Sequence, residues 1–378
     1  MPDLASDRKS SVLRTATLGD LRTLQHVAIL KDTASVGDCL KTLAAHRIVS
    51  APVVVATKED EHPGPVWHFK KAPEDVLGFV DIKDVIHCFL EDVKDTGILE
   101  YPSMLKKMRA LEQKGTAFSH RTIRELHLTG GDGCFLHVGQ QAVNLFELAH
   151  GYLLNPSRCG AQGSEGRPAI HRIAIFDSSG RIVNIISQSD IVRYLLEHVD
   201  KMSDAASQTI ADLGMATKQL ITVPPEKSAV EALKIMEDNN VGAVAVVNSE
   251  GQIVGTFSAT DMRTITQEHF GSLALPVGEF LALEHGTEYS GYTIASETAV
   301  QGTDAHAFAR DRLGRVALPG AEVGQSLVVC GPLTTLKGVM SLLTRNRVHR
   351  TFVVDENMKP VSVISCTDIL RKLCQIEQ

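Results

Sequence analysis

Residues 348–355, VHRTFVVD, and residues 361–370, VSVISCTDIL, read as a strand, a polar turn, a second strand and the start of a helix. Ser365 and Asp368 lie three residues apart where the second strand gives way to the helix. The free backbone N–H groups of such a junction can be capped by polar side chains or can hold an anion. The apolar positions are rich in β-branched side chains, which suit a pleated surface: Val353, Val354, Val361, Val363 and Ile364.

The same unit occurs three more times along the chain. Each copy ends in an aspartate at the strand-to-helix junction: Asp84, Asp190, Asp261 and Asp368. An amphipathic helical pattern precedes the strand pairs, as in residues 228–237. Ordered copies of one supersecondary unit predict a repeat protein. The other three copies are residues 50–55 with 76–85, residues 171–177 with 182–192, and residues 241–248 with 253–262.

The spacing of the junction aspartates indicates a two-unit module used twice. Asp84 and Asp261 are 177 residues apart, and Asp190 and Asp368 are 178 apart. Residues 120–126 are read as the segment that leads into the second repeat. The predicted division is a disordered tail at 1–20, a first repeat at 21–97 with an insertion at 56–75, a linker and second repeat at 98–200 with a loop at 155–168, a third repeat at 201–268, and an insertion and fourth repeat at 269–378.

Composition is that of a soluble globular protein, with 43% hydrophobic and 22% charged residues among 378. A net charge of −7 argues against a nucleic-acid surface, which needs a basic stripe. No apolar run of about 18 residues occurs, so no membrane span is expected. Seven cysteines without a Cys-x-x-Cys pair indicate a reducing compartment, the cytoplasm or the nucleus, and no zinc site.

The unit resembles the cystathionine β-synthase (CBS) domain. Four units in one chain resemble the gamma subunits of AMP-activated protein kinase and their yeast and plant relatives. The fourth repeat carries the resemblance most fully, through His349-Arg350, Val353-Val354-Asp355 and residues 365–370, SCTDIL. The resemblance implies an α/β fold made of α+β CBS units. Its four repeats would form two Bateman modules packed as a flat pseudo-symmetric disc.

The resemblance also implies a nucleotide site at the junctions. In the family, the aspartate that ends the Ser/Thr-x-x-Asp junction takes both ribose hydroxyls, because a carboxylate has two acceptor oxygens. An open alternative is that these aspartates only cap helices, for which aspartate is a favoured residue. The implied ribose-binding residues are Asp368, Asp261, Asp190 and, more weakly, Asp84. The junction hydroxyls are Ser365, Thr367, Ser258, Thr260 and Ser187.

Phosphate binding is assigned, again by the resemblance, to two His-Arg pairs. His349-Arg350 and His171-Arg172 occupy matched places at the start of the first strand of their repeats. Guanidinium and imidazole groups suit phosphate, and in the family such residues point to the centre where the repeats meet. The alternative for either pair is a solvated strand edge.

Three departures from the family pattern bear on occupancy. The first repeat has Asp81 where Ser or Thr is usual, and a negative charge beside Asp84 is expected to repel phosphate. The third repeat has Val241-Gly242 in place of a His-Arg pair, so its site must borrow cations. The second repeat keeps Asp190, which animal gamma subunits lack.

No catalytic set, metal site or cofactor site is recognised, so the chain is expected to work by binding. The expected ligands are AMP, ADP or ATP, and the expected partners are protein kinase catalytic and scaffold subunits, with no nucleic acid. The alternative is a structural or scaffold CBS protein with lost or partial nucleotide binding.

Overall fold

The computed structural model describes residues 12–21, 27–56, 76–128, 135–137, 142–155, 169–176, 182–202, 204–285 and 327–376. Residues 1–11 of the predicted tail, almost all of the insertion at 56–75 and of the loop at 155–168, and much of the segment before the fourth repeat lie outside these residues. The rest of the tail is not disordered as expected, because Val12–Thr15 is helical and Val12 and Leu13 are buried. Within the described residues, no helix combines the length and apolar character needed to cross a membrane.

Four three-stranded sheets form the frame of the molecule. In each sheet a short first strand runs parallel to the second, and the second runs antiparallel to the third. The register shifts at the same step of the second strand in all four sheets, so the copies share a bulge as well as a topology. The strands are β1 Leu30–Lys31, β2 Ser50–Val54, β3 Val76–Asp81, β4 Phe135–His137, β5 Arg172–Phe176, β6 Ile182–Ser187, β7 Thr222–Val223, β8 Ala243–Val247, β9 Ile253–Ser258, β10 Val329–Cys330, β11 Arg350–Val354 and β12 Pro360–Ser365.

Helices connect and follow the strands of each repeat. Two of them end in the same way, at a left-handed arginine with φ of 52°: Arg47 after α2 and Arg347 after α8. The α-helices are α1 Val12–Thr15, α2 Val36–His46, α3 Ile82–Lys94, α4 Met104–Ser119, α5 Gln188–Glu197, α6 Ala229–Asp238, α7 Val277–His285, α8 Leu336–Asn346 and α9 Cys366–Ile376. The 3-10 turns are Leu18–Asp20, Ile98–Glu100, Val199–Lys201, Asp204–Ala206, Ala259–Thr264 and Phe270–Ala274.

The helix of the second repeat differs from the others. Its apolar pattern predicts an α-helix, but Glu147–Leu153 is a π-helix. The N–H of Leu154 donates to the carbonyl of Ala149, five residues back, at 2.8 Å. A sequence pattern gives no sign of such a one-residue bulge in the helical ladder.

Packing between repeats closes a ring. Sheets of repeats one and two meet around Val54 and Phe176, and sheets of repeats three and four meet around Phe352 and Ile253. Two larger clusters join the helical sides, one between repeats one and three and the other between repeats two and four. Each repeat therefore contacts two others, which is the arrangement expected for two modules in a pseudo-symmetric disc.

Residues 120–128 pack on the first repeat rather than leading directly into the second. Ile123 N–H donates to the carbonyl of Ala34 at 3.0 Å. The guanidinium of Arg124 holds the buried Asp32, with Nη2 at 2.6 Å from Oδ2. Local hydrophobicity does not reveal that this segment, which precedes the second repeat in the chain, packs on the first.

Candidate functional site

A cavity of about 470 Å³ lies between the repeats and is lined by residues of all four. This volume is within the range of small-molecule sites, roughly 300–1,000 Å³. One part of its wall is apolar, with Leu220, Ile221 and Val363. Its basic lining residues are Lys83, His171, Arg172, Lys218, His349, Arg350 and Arg371.

All four junction aspartates close capping boxes at the start of a helix or 3-10 turn. In each, Oδ2 accepts the backbone N–H of the residue three positions earlier, and that earlier residue holds the capping position. The fold therefore already uses one oxygen of each of these four aspartates, and Oδ1 faces a basic side chain at Asp190 and Asp368. The N···Oδ2 distances are 3.1 Å for Asp81 to Asp84, 2.8 Å for Ser187 to Asp190, 2.7 Å for Ser258 to Asp261 and 2.8 Å for Ser365 to Asp368.

Asp368 lies on the wall of the large cavity with cations at its second oxygen. Nζ of Lys218 is 2.6 Å from Oδ1, and Nη1 of Arg371 is 3.7 Å from the same atom. The carboxylate is 11% exposed, whereas the two cationic side chains are about half exposed. Its Oδ1 is therefore accessible only to a ligand that competes with Lys218.

Asp190 is in a different position. It is buried, its Oδ1 pairs with Arg193 of the same helix, and it does not line either cavity. The sequence places Asp190 among the ribose candidates. The structure places it beside the other junction residues, with both oxygens engaged by its own repeat.

Asp261 lines a second and smaller cavity of about 150 Å³. Leu281 and Ala282 of α7 form part of the wall of this cavity, which also contains Thr260 and His349. The volume is well below that of typical nucleotide-sized sites. Helix α7, in the segment that follows the third repeat, thus fills part of the space beside Asp261.

Asp84 and Asp81 of the first repeat act on each other and on a neighbouring repeat. Burial, and then the charge of Asp81, raise the pKa of Asp84 to about 6. Oδ2 of Asp81 lies 3.6 Å from Nη1 of Arg172, which also donates to Ser50. Asp81 therefore neutralises one of the cations that the sequence assigns to phosphate, in addition to standing beside Asp84.

The two histidines face the same cavity. Removal of solvent, and then the charges of Arg172 and Arg350, lower the pKa of His349 to about 4. Removal of solvent, and then Arg172 and Lys83, lower the pKa of His171 to about 4 as well. The side chain of His171 is exposed to the cavity. The concave wall around the ring nevertheless excludes part of the water that would otherwise stabilise its charged form. Both rings are neutral at pH 7 while the cavity holds no anion.

His349 has a partner from the second repeat. Oγ of Ser189 hydrogen-bonds Nδ1 of His349 at 2.8 Å, which fixes the ring across the boundary between repeats two and four. On the same boundary, the hydroxyl of Thr367 donates to Oε1 of Gln188 at 2.7 Å. Thr367 is therefore occupied by a contact between repeats.

The serine hydroxyls of the junctions are used by the capping boxes. Ser365 donates to Asp368 at 2.7 Å, and Ser187 donates to Asp190 at 2.7 Å. Ser258 donates to Asp261 at 3.0 Å. The junction residue Thr260 lines both cavities. The hydroxyls hold the aspartates in position, whatever else they contact.

Three residues of the cavity were not singled out from the sequence as ligand candidates. Lys83 precedes Asp84 in the junction, Lys218 lies four residues before β7, and Gly242 immediately precedes β8 of the third repeat. By the strand register, Gly242 stands where repeats two and four carry the histidine of the His-Arg pair. A Cβ atom there would lie 2.7 Å from Nη1 of Arg350 and 3.0 Å from Nζ of Lys83. The absence of a side chain is thus what admits these two cations.

The comparison with protein families agrees with this geometry. The model of the CBS domain matches residues 164–197, 210–267 and 322–375. The chain contains CBS domains. It is homologous to the gamma subunits of AMP-activated protein kinase. The first repeat is outside the matched segments, yet its sheet has the same topology and bulge as the CBS repeats that follow it.

Two relatives define the homology. The 5'-AMP-activated protein kinase subunit gamma-3 of Sus scrofa is 26% identical over 321 residues, which cover 82% of this chain and 49% of that protein. The SNF1-related protein kinase regulatory subunit gamma-like PV42b of Arabidopsis thaliana is 23% identical over 380 residues, covering 90% of this chain and 88% of that protein. This CBS protein spans about half the length of the gamma-3 subunits that it matches.

A solved structure supports the fold. A protein of Methanocaldococcus jannaschii, described as a candidate archaeal homologue of the gamma subunit, superposes with a TM-score of 0.56 at 16% identity. The match covers 94% of this chain and 99% of the archaeal one. The fold of this chain is therefore shared with that protein.

Proposed function

We propose that this CBS protein is a non-catalytic regulatory subunit that binds AMP, ADP or ATP in the 470 Å³ cavity and regulates a protein kinase complex. The observation that carries the proposal is the meeting of Asp368, an apolar wall and cations of several repeats in one cavity of nucleotide size. The homology to kinase gamma subunits supports the regulatory role. The cytoplasmic location expected from the cysteine content stays a prediction.

The proposed pose follows from the lining. The base occupies the apolar part of the wall, at Leu220, Ile221 and Val363. The ribose hydroxyls replace the ammonium of Lys218 at Asp368, and the phosphates point towards His349 and the other cations. Such a pose gives each chemical part of the nucleotide a matching surface.

Regulation is proposed to act through population shift. A ligand in a cavity lined by four repeats stabilises the arrangement of repeats to which it binds more tightly. A bound kinase partner responds to that arrangement. The partners proposed are the catalytic and scaffold subunits of a kinase of the AMP-activated or SNF1-related type.

The deciding experiment is calorimetric titration of the purified chain with AMP, ADP and ATP, after bound nucleotide has been measured and removed. Micromolar binding, worth roughly 8 kcal/mol, supports the proposal. The stoichiometry gives the number of working sites. Absence of binding by a folded, nucleotide-free chain would overturn it.

A scaffold without nucleotide control is the second candidate. Two observations favour it, namely the narrow cavity at Asp261 and the ion-paired Asp190. On this reading the junction aspartates serve only as helix caps. The same titration separates the two functions, because a scaffold gives no heat with any adenine nucleotide.

A further inference from the structure

Two cations of different modules lie together beside Gly242. Lys83 is the second residue of α3 in the first repeat, and Arg350 begins β11 in the fourth. A Cβ atom on Gly242 would be 3.0 Å from Nζ of Lys83 and between 2.7 and 2.8 Å from the two terminal nitrogens of Arg350. Both charged groups therefore reach one point on the backbone of the third repeat.

Neither charged group makes an ion pair or hydrogen bond with any residue that the structure describes. Lys83 contributes only its backbone N–H, to the capping carboxylate of Asp81. The acids around them have other contacts: Asp81 faces Arg172, Asp368 faces Lys218, and Asp261, which also acts on Arg350, accepts the N–H of Ser258 in its capping box. Like charges at close range repel each other, and the effect is stronger at a partly desolvated wall than in bulk water.

The surroundings of this pair are suited to an anion. The pair lines the 470 Å³ cavity together with His171 and His349. The acids that act on Lys83 at longer range are Asp81 and Asp84, and the pKa of Lys83 is lowered by loss of solvent and by Arg350. A phosphate between Lys83 and Arg350 would remove the repulsion and gain two charge-assisted contacts.

We propose that Lys83 and Arg350 form a phosphate site across the two modules, which receives the terminal phosphates of ADP or ATP. This proposal rests on the proposed nucleotide function. The apolar wall and Asp368 belong to the third and fourth repeats, whereas Lys83 belongs to the first. Phosphates beyond the one attached to ribose are those that extend towards Lys83, so this lysine makes the site selective for the longer phosphate chain.

The site also links the modules physically. A ligand held by Asp368 at one end and by Lys83 at the other joins the fourth repeat to the first. AMP, which lacks the terminal phosphates, leaves that connection open. ATP would then connect the fourth repeat to the first, whereas AMP would not. Such a difference in how two ligands interact with the arrangement of repeats is what a population shift requires.

The test is a titration of wild type and Lys83→Met with adenosine, AMP, ADP and ATP. We expect the variant to bind ATP about tenfold more weakly or worse, since one charge-assisted contact is lost. Affinity for AMP and adenosine should change less than about twofold. Lys83→Arg should keep most of the ATP affinity. Lys94→Met is the matched control, because Lys94 lies near the other end of α3 and pairs with Glu91 on the surface.

A second variant approaches the site from the backbone. Gly242→Ala places a methyl group against the ends of two flexible side chains, so we expect the fold to persist while both cations are displaced. It should lower ATP affinity more than AMP affinity. Gly331→Ala is its control, because a Cβ there meets nothing within 4 Å.

Inorganic tripolyphosphate separates this proposal from the nucleotide function. If the wild type binds tripolyphosphate, Lys83→Met does not, and no nucleotide binds, the phosphate site stands and the nucleotide function fails. Equal losses of ATP and AMP in Lys83→Met, or no loss of ATP and tripolyphosphate, would overturn the phosphate site. A wild type that binds neither tripolyphosphate nor nucleotide overturns both.

Discussion

The ammonium of Lys218 lies 2.6 Å from Oδ1 of Asp368, while Oδ2 of the same carboxylate accepts the N–H of Ser365 at 2.8 Å. Both oxygens of the leading ribose candidate are thus engaged by the protein itself. A ribose that uses this carboxylate must take the place of Lys218. The lysine is about half exposed and sits on a flexible stem, so its displacement costs little.

Replacing this lysine should therefore strengthen nucleotide binding. We expect Lys218→Met to raise the affinity for AMP and adenosine by a few-fold, since a surface ion pair contributes about 0–1 kcal/mol. Calorimetric titration measures the change. Lys234→Met is a suitable control, because Lys234 pairs with Asp238 on an exposed face of α6. Weaker binding by Lys218→Met would show instead that the ammonium contacts the ligand.

Removing the carboxylate should have the opposite effect. Asp368→Ala deletes the ribose acceptor, so adenosine and AMP should lose affinity together. The change also removes a helix cap, which costs about 1 kcal/mol of unfolding free energy. Binding and chemical denaturation should be measured on the same preparation.

A matched variant separates the two roles of Asp368. Asp20→Ala opens a capping box of the same kind, in which Asp20 accepts the N–H of Thr17 at 2.8 Å and does not line either cavity. It should lose similar stability and keep full nucleotide affinity. If Asp368→Ala keeps its affinity as well, Asp368 is only a cap and the ribose assignment fails.

Much of the fold follows from local sequence. The β-branched residues predicted the strand pairs, and the amphipathic pattern of residues 228–237 predicted α6. The π-helix at Glu147–Leu153 was not predictable, because it inserts one residue into a pattern that still reads as helical. Nor was the packing of residues 120–128, which depends on a contact with Asp32 that is distant in sequence.

The candidate site was predictable only in part. The His-Arg pairs and Asp368 line one cavity, because repeats place matched positions at a common centre, and their roles in ribose and phosphate binding stay predictions. The sequence did not distinguish Asp190, which lines neither cavity, from Asp368, because the ion pair of Asp190 with Arg193 of the same helix is seen only in the structure. The sequence could not identify Lys83 and Lys218 as cavity residues, because their place in the cavity depends on which repeats face each other. Whether any of these residues binds a nucleotide stays a prediction.

Nucleotide binding should take up a proton at His349. The pKa of this ring is about 4 in the free protein, below its ordinary value of 6.5, because of burial and of the cations Arg172 and Arg350. A neighbouring phosphate raises this pKa, so the complex holds more protons than the free chain at any pH between the two values. Affinity for AMP, corrected for the titration of free AMP itself, should therefore increase as the pH falls through the pKa that the ring has in the complex.

The measurement is a calorimetric titration in two buffers of different ionisation enthalpy. AMP should show proton uptake and adenosine should show none. His349→Ala should weaken AMP binding more than adenosine binding and should reduce the dependence of AMP affinity on pH. Equal losses for both ligands would mean that His349 does not contact phosphate.

The packing between the linker helix α4 and the segment that follows the third repeat gives a prediction about stability. Gly115 of α4 lies under the buried ring of Phe270, and a Cβ atom there would be 2.3 Å from Cγ of that ring. Phe270 itself packs on Phe89 with ring centroids 4.4 Å apart, so the ring has little room to move. The glycine is therefore required by close approach of the two segments.

Gly115→Ala should lower the free energy of unfolding despite the better helix propensity of alanine. Overpacking costs typically 1–3 kcal/mol, and alanine returns up to about 1 kcal/mol in a helix. Denaturant titration should show a lower midpoint. Gly151→Ala is the control, since a Cβ at Gly151 meets only Cγ of Glu147, at an ordinary 3.7 Å. An unchanged midpoint for Gly115→Ala would mean that α4 can move away from Phe270, and that the first and third repeats are less tightly joined than their shared core indicates.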